Sequence, residues 1–390
     1  MTSPRRAYLL GFVLLGVSLS FVGPAMTHLR HQVGVDLGGG GAIVAGQSLG
    51  YIVTSLAVAR RYDHGHGHRT LVQAAAVVAL VVIAIDAASA LWQLVAAFAV
   101  VGAGAAATDV GGNTLIAWSE PRERIGPSLN LLHLCFGIGA IAAPLLVSAS
   151  LDATDGLVPL AAALGAGALV LALLLARSRQ PRPRHEDAHH VPVAPEVRRR
   201  ILRPVQAFFF VYVGAEATMA VWVTTWAEDL DLGPERAAAL VTAIFWAGFT
   251  LGRLAAVVAT HRISVGRVLV AACALSTVLA ASLLAADRLE LVAWVGTGLV
   301  GFALGPQFAT MFAVADGAIG LDGATTSQII AASGLGSLTI PWLTGQLLEA
   351  GGTGRLPAVV LAGAAASTVA ALVVVRRARV MPSTTARVAA

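Results

Sequence analysis

Residues 50–72 read GYIVTSLAVARRYDHGHGHRTLV, and residues 248–270 read GFTLGRLAAVVATHRISVGRVLV. Gly50, Leu56, Ala57, Arg69, Leu71 and Val72 recur as Gly248, Leu254, Ala255, Arg267, Leu269 and Val270. Gly137, Gly139 and Pro144 recur in the same way as Gly334, Gly336 and Pro341. Val101, Gly102 and Gly104 recur as Val295, Gly296 and Gly298, a register in which Asn113 meets Gln307 and Asp109 meets Ala303. One match would be weak in a chain so rich in Ala and Gly. Three in the same order argue for an internal repeat spanning half the chain.

The repeat is written in apolar sequence. Of the 390 residues 57% are hydrophobic and 12% are charged, against about 25% charged in soluble domains. Mean hydropathy is +0.79. Apolar runs of about 20 residues recur along the chain, which is the length of a membrane-crossing helix rather than a barrel strand. The chain is therefore all-α and integral to a membrane. Twelve spans are predicted, at 7–29, 40–59, 70–88, 91–118, 127–149, 157–176, 204–227, 236–260, 267–285, 289–315, 324–348 and 356–375.

Net charge is +5, and all 26 basic side chains are arginines. They lie in short loops, where they act as topology signals rather than as a nucleic-acid surface. Arg5, Arg6, Arg60, Arg61, Arg69, Arg122, Arg124, Arg262 and Arg267 fall on one side, with the arginines of the linker and tail. Arg30, Arg236, Arg288 and Arg355 fall on the other. The positive-inside rule places both termini in the cytoplasm. The basic lead MTSPRR runs into the first span with no small-residue cleavage site. Cys135 and Cys273 lie inside apolar runs and suggest no disulfide framework.

Residues 177–203 form a Pro-, Arg- and His-rich linker between an N-terminal six-helix bundle, 1–176, and a C-terminal one, 204–390, with a short tail. The linker histidines His185, His189 and His190 read as solvated rather than metal-binding. Two parallel six-helix repeats joined by such a loop are the plan of the major facilitator superfamily. That resemblance implies alternating access to a solute held near the midplane. The stretch RRYDHGHGHR after the second span is similar to the superfamily's G-x-x-x-D-R-x-G-R-R loop. Asp63 and Arg69 fit, whereas Ala59 and His64 depart from it. The resemblance makes Asp63 and Arg69 a cytoplasmic gate, and Arg253 with Asp316 reads as a gate or a structural ion pair.

Polar residues deep in spans are costly and should face a bundle interior or a wet cavity. Asp109, Glu216 and His133 lie deepest. Asp109 and Asn113 share a helix face, as do Asn130 and His133, and Tyr212 and Glu216, by three- or four-residue spacing. Gly111 and Gly112 leave room for a ligand or a neighbouring helix. With Trp222, Gln307 and Gln328 these groups suit a polyhydroxylated solute: carboxylates and amides bond hydroxyls, and aromatic faces cover apolar C–H faces. The competing reading of Asp109 is a packing group bonded to Asn130 or Ser128. Trp226 and Trp342 read as interfacial anchors.

The segments TDVGGNTLI, LNLLHLCFGIGAIAAP, YVGAEATMAVW, FWAGFTLGRL and GPQFATMFAVAD resemble the fucose:proton symporter family, including its glucose-transporter-like branch. The resemblance implies proton-coupled transport of a sugar or sugar-like polyol. Asp109 would serve solute and coupling, His133 and Asn130 would contact solute, and Glu216 would fill the family's Gln or Glu position. The family's first-span carboxylate is missing, since Ser18 and Ser20 are the central polar groups there. Sodium coupling and uncoupled facilitation therefore stay open. Efflux of hydrophobic or cationic compounds is the rival reading. It is disfavoured by GIGAIAAPLL, which lacks the paired Gly-Pro and the terminal glycines of such exporters' fifth span. No nucleophile–base set, metal-ligand spacing or nucleotide loop is present, so neither an enzyme nor a cofactor is expected. The expected partners are a small polar solute, a proton or sodium ion and the bilayer of the cell (inner) membrane, with the chain a monomer.

Overall fold

The computed structural model describes residues 4–181, 195–232, 235–286, 290–321 and 323–379. The linker histidines His185, His189 and His190 lie outside them. The described residues form fourteen α-helices and two 3-10 turns. Ten of the helices are long and apolar enough to cross a membrane. The chain divides into two compact units, Met1–His185 with Gly233–Ala243, and Glu186–Leu232 with Ile244–Ala390.

The first unit holds α1 (Arg5–Ser20), α2 (Met26–Val33), α3 (Leu37–Asp63), α4 (Gly67–Ile85), α5 (Leu91–Ser119), α6 (Arg122–Thr154) and α7 (Val158–Ala176). The predicted first span is not one helix. It breaks between Ser20 and Met26, around Gly23-Pro24. Proline removes a backbone donor, and a break in hydrocarbon survives only if neighbours satisfy the freed groups. Here Gln47 of α3 donates Nε2 to the Ser18 carbonyl at 3.2 Å.

The second unit holds α8 (Pro195–Asp229), most of α9 (Glu235–Thr260), α10 (Val265–Ser282), α11 (Glu290–Leu304), α12 (Gln307–Ile319), α13 (Gly323–Gly351) and α14 (Leu356–Arg379). Residues 195–203, expected in the linker, are the first turns of α8. The predicted tenth span is also interrupted, at Gly305-Pro306. The Leu304 carbonyl accepts from the Tyr212 hydroxyl at 3.1 Å, and the Ala303 carbonyl from Gln307 Nε2 at 3.0 Å. Both interrupted helices thus have carbonyls near the break satisfied by side chains.

Glycine lets helix backbones touch, which is the main packing device where lipid supplies no hydrophobic drive. In the first unit Gly50 lies on the Ala99 carbonyl, Gly102 on the Gln47 carbonyl, and Gly139 on the Val13 carbonyl. In the second, Gly248 lies on the Gly298 carbonyl, Gly301 on the Phe245 carbonyl, and Gly336 on the Phe210 carbonyl. Two of the sequence matches, Gly50 with Gly248 and Gly139 with Gly336, make the same kind of contact. The third needs correction. Gly296 lies against the Leu283 side chain, and it is Gly301 that repeats the contact of Gly102. Counted from those glycines, Asp109 corresponds to Phe308 and Asn113 to Phe312, not to Ala303 and Gln307.

Candidate functional site

In the first unit, α3 and α5 are held together at Gly50 and Gly102. The residue beside that contact, Tyr51, donates its hydroxyl to Asp109 Oδ2. Asn113, one turn along α5, donates Nδ2 to Asp109 Oδ1 at 2.8 Å and to the Asp109 carbonyl at 2.9 Å. Both carboxylate oxygens therefore have a neutral donor. Hydrogen bonds to a charged group are the stronger kind, worth about 1.5–3 kcal/mol each. Sequence does not point to Tyr51, because nothing in the order of residues says which α3 side chain meets α5. Tyr51, Asp109 and Asn113 are all half-buried.

The remaining first-unit candidates separate. Asn130 is exposed, while His133 is half-buried and sits edge-on to Phe12, 5.7 Å between ring centroids. Gly111 and Gly112 do remove bulk, but the room is taken by other helices: the Tyr62 ring covers Gly111 and the Phe12 ring covers Gly112. Tyr62 also donates to the Ala107 carbonyl at 2.5 Å.

The second unit has an ionisable group of its own. Glu216 on α8 is half-buried, with Tyr212 one turn before it and the Arg253 guanidinium as its cationic influence. Arg253 lies over the Phe249 ring, 4.6 Å from its centroid, and its Nε is buried without a hydrogen-bond partner among the described residues. Where the first unit has Asp109 and Asn113, this unit has Phe308 and Phe312, both edge to face with Phe209.

Three expected solute contacts are committed elsewhere. Trp222 is fully buried and donates Nε1 to the Pro341 carbonyl at 2.9 Å. Gln307 is fully buried, its amide donating to Ser276 Oγ at 3.0 Å and to the Ala303 carbonyl. Tyr212 is buried on the Leu304 carbonyl and stacked on Phe208. Each bonds a main-chain carbonyl within its unit, while Tyr212 also bonds the Glu216 side chain and Gln307 Oε1 has no partner among the described residues. Gln328 is exposed on α13. Trp226 is buried, unlike an interfacial anchor, whereas Trp342 is 40% exposed.

The expected gate pairs are not ion pairs among the described residues. Asp63 and Arg69 are both exposed. The α3–α4 turn is instead tied by Arg61, which donates to Thr70 Oγ1 at 3.2 Å and Gln73 Oε1 at 2.8 Å. His68 adds a bond to the Tyr8 hydroxyl at 2.8 Å. Asp316 is exposed and accepts from the Leu321 amide at 2.9 Å, closing its own helix end rather than meeting Arg253. An ion pair joins Arg5 to Glu120 at 3.7 Å, the start of α1 to the residue after α5.

An all-helical chain of apolar spans with two interrupted helices and polar groups held at depth has the anatomy of a membrane carrier. The sequence model of the Major Facilitator Superfamily matches residues 8–341. The chain belongs to the major facilitator superfamily. This superfamily member is 24% identical to the sodium-dependent glucose transporter 1A of Mus musculus, over 86% of this chain and 87% of the relative. It is 24% identical to the sodium-dependent glucose transporter 1 of Xenopus laevis, over 91% of this chain and 78% of the relative. Its fold is similar to that of a D-xylose-proton symporter, with TM-score 0.74 at 13% identity, over 95% of this chain and 96% of that one. A variant of the nucleoside transporter NupG gives TM-score 0.73 at 13% identity, over 96% of this chain and all of that one. The superfamily and these relatives are transporters, and the chain is a multi-pass membrane transporter, not an enzyme.

Proposed function

We propose that this chain is a secondary transporter for a sugar or sugar-like polyol, coupled to a cation and working by alternating access. It is built as two parallel six-helix repeats of twelve spans, with both termini in the cytoplasm. It acts as a monomer in the cell (inner) membrane. The repeat is supported by the matching contacts of Gly50 and Gly248, Gly102 and Gly301, and Gly139 and Gly336.

The observation that carries the proposal is Asp109 held between Tyr51 and Asn113. Tyr51 and Asn113 are neutral donors, and the Tyr51 hydroxyl is the kind of donor a polyol presents. A solute hydroxyl can replace the Tyr51 hydroxyl on the carboxylate with little net change in hydrogen-bond energy, so binding does not strip the site bare. A site built to bond hydroxyls rejects analogues that lack them. In the first unit Asn113, Asn130 and His133 are the further polar candidates for solute; in the second, Gln328 and the carboxylate of Glu216, under the influence of Arg253, are candidates of their own. Gln307, Trp222 and Tyr212 support helices rather than solute.

Asp109 is also the group on which a coupling ion would act. A proton would neutralise it, and a sodium ion would share its oxygens. The proton reading is supported by the fold's likeness to a protein named a D-xylose-proton symporter, and the sodium reading by relatives named sodium-dependent glucose transporters. Reconstitution in liposomes with labelled glucose, xylose and nucleosides tests the proposal, with a pH gradient and a sodium gradient imposed in turn. Accumulation of a sugar under one gradient is expected. Dye efflux with no sugar uptake would overturn the proposal.

A further inference from the structure

Seven arginines of the second unit lie at one end of it. The first turns of α8 carry Arg199, Arg200 and Arg203, and the last turn of α14 carries Arg376, Arg377 and Arg379. All are exposed. Arg377 Nη1 donates to the Arg200 carbonyl at 2.5 Å, which fixes the two helix ends side by side. Val375 packs against Gly266, so exposed Arg267 at the start of α10 joins the same edge. No carboxylate pairs with Arg200, Arg203, Arg267, Arg376 or Arg377 among the described residues. Gathering several like charges is unfavourable unless an anion neutralises them.

We propose that this edge is a binding site for the headgroups of anionic phospholipids. The helices that carry the guanidiniums also carry exposed apolar side chains further along. These are Val369 on α14, two turns before Arg376, and Leu275 and Val278 on α10, beyond Arg267. Two turns of helix are about 11 Å, the offset between a lipid phosphate and the upper part of its acyl chains. A soluble polyanion would use the charge and leave the apolar face unused. A lipid uses both. Guanidinium suits phosphate because its planar fork donates two parallel hydrogen bonds. Clusters of several basic residues at the end of a membrane helix attract anionic lipid in just this way.

The general bias of arginine toward the cytoplasmic side would scatter such charges without selecting a lipid, so the test separates the two. The full chain is reconstituted in phosphatidylcholine vesicles with a trace of spin-labelled phosphatidylglycerol or spin-labelled phosphatidylcholine. The motionally restricted fraction of each label is then measured. Phosphatidylglycerol, the anionic lipid, is expected to associate about fivefold more strongly than phosphatidylcholine. The variant R200Q/R203Q/R376Q/R377Q should lose that preference. R60Q/R124Q, which removes exposed arginines from the first unit, should keep it. The charge-keeping variant R203K/R376K and wild type in high salt provide readouts that survive if the fourfold variant does not fold. Lysine should retain most of the preference, and salt should weaken it. Equal association of the two lipids with wild type, or equal loss in both glutamine variants, would overturn the proposal.

Discussion

The Tyr51 hydroxyl on α3 and the Asp109 carboxylate on α5 are hydrogen-bonded across the closest helix contact of the first unit. The bond fixes the direction in which the carboxylate presents its remaining lone pairs. Tyr51→Phe keeps the ring and removes only the donor. The solute then has no donor to displace from the carboxylate, so the expected outcome is a folded protein whose sugar uptake shows KM lowered about tenfold with maximal rate little changed, a bond to a charged group being worth about 1.5–3 kcal/mol. Initial-rate uptake in proteoliposomes checks this. Unchanged KM would remove Tyr51 from the site.

Asp109→Asn retains an acceptor oxygen for Tyr51 but no charge. Gradient-driven accumulation should vanish, whereas exchange of labelled for unlabelled solute should survive, because exchange needs no net ion movement. Counterflow measured beside active uptake separates the two. Accumulation by the variant would mean that coupling resides elsewhere, with Glu216 the next carboxylate to replace.

Gln47 supports the interrupted first span through the Ser18 carbonyl. Gln47→Leu fills similar space and leaves that carbonyl without its donor. A buried unpaired acceptor costs about 1–3 kcal/mol, so the thermal midpoint of the purified protein should fall by several degrees. A variant as stable as wild type would show that the break is satisfied by other means.

Trp222→Phe separates support from binding. The indole donates to the Pro341 carbonyl and is fully buried. Stability should fall while the KM for sugar holds. A KM change at unchanged stability would return Trp222 to the solute lining.

The corrected register is testable by adding single methyl groups. At Gly102 and Gly301 the new Cβ would meet backbone, which has no way to yield. At Gly296 it would meet only the end of the Leu283 side chain, at 2.7 Å. Gly102→Ala and Gly301→Ala should reduce the yield of folded protein sharply, and Gly296→Ala should be tolerated. The reverse order, read by size-exclusion profiles of tagged protein, would restore the original alignment.

Apolar run length and glycine spacing made the all-helical membrane class, and most helices, legible from sequence. Both follow from local physics: a span must be about 20 residues long and must satisfy its own backbone. The interruptions at Gly23-Pro24 and Gly305-Pro306 carried a signal in the dipeptides themselves, and a continuous hydropathy run hid it. Asp109 and Asn113 were legible as one helix face, because four residues apart is a local relation. Tyr51 was not, since its part depends on how α3 lies against α5. Sequence points Trp222 and Gln307 at solute because a polar group at depth needs a partner, and it cannot say that the partners are the Pro341 carbonyl for one and Ser276 with the Ala303 carbonyl for the other. Asp63 and Arg69 matched a loop motif, yet the turn they flank is held by Arg61 and His68.

Gly50 and Gly102 seat α3 and α5 on each other through main-chain atoms. Side chains can change rotamer to let helices slide, whereas carbonyls and α-carbons in contact cannot. The two helices therefore behave as a single strut. Whatever draws Tyr51 away from Asp109, a sugar hydroxyl or a cation, does so across a joint with no play of its own. The displacement passes along the whole length of both helices instead of being absorbed where it began.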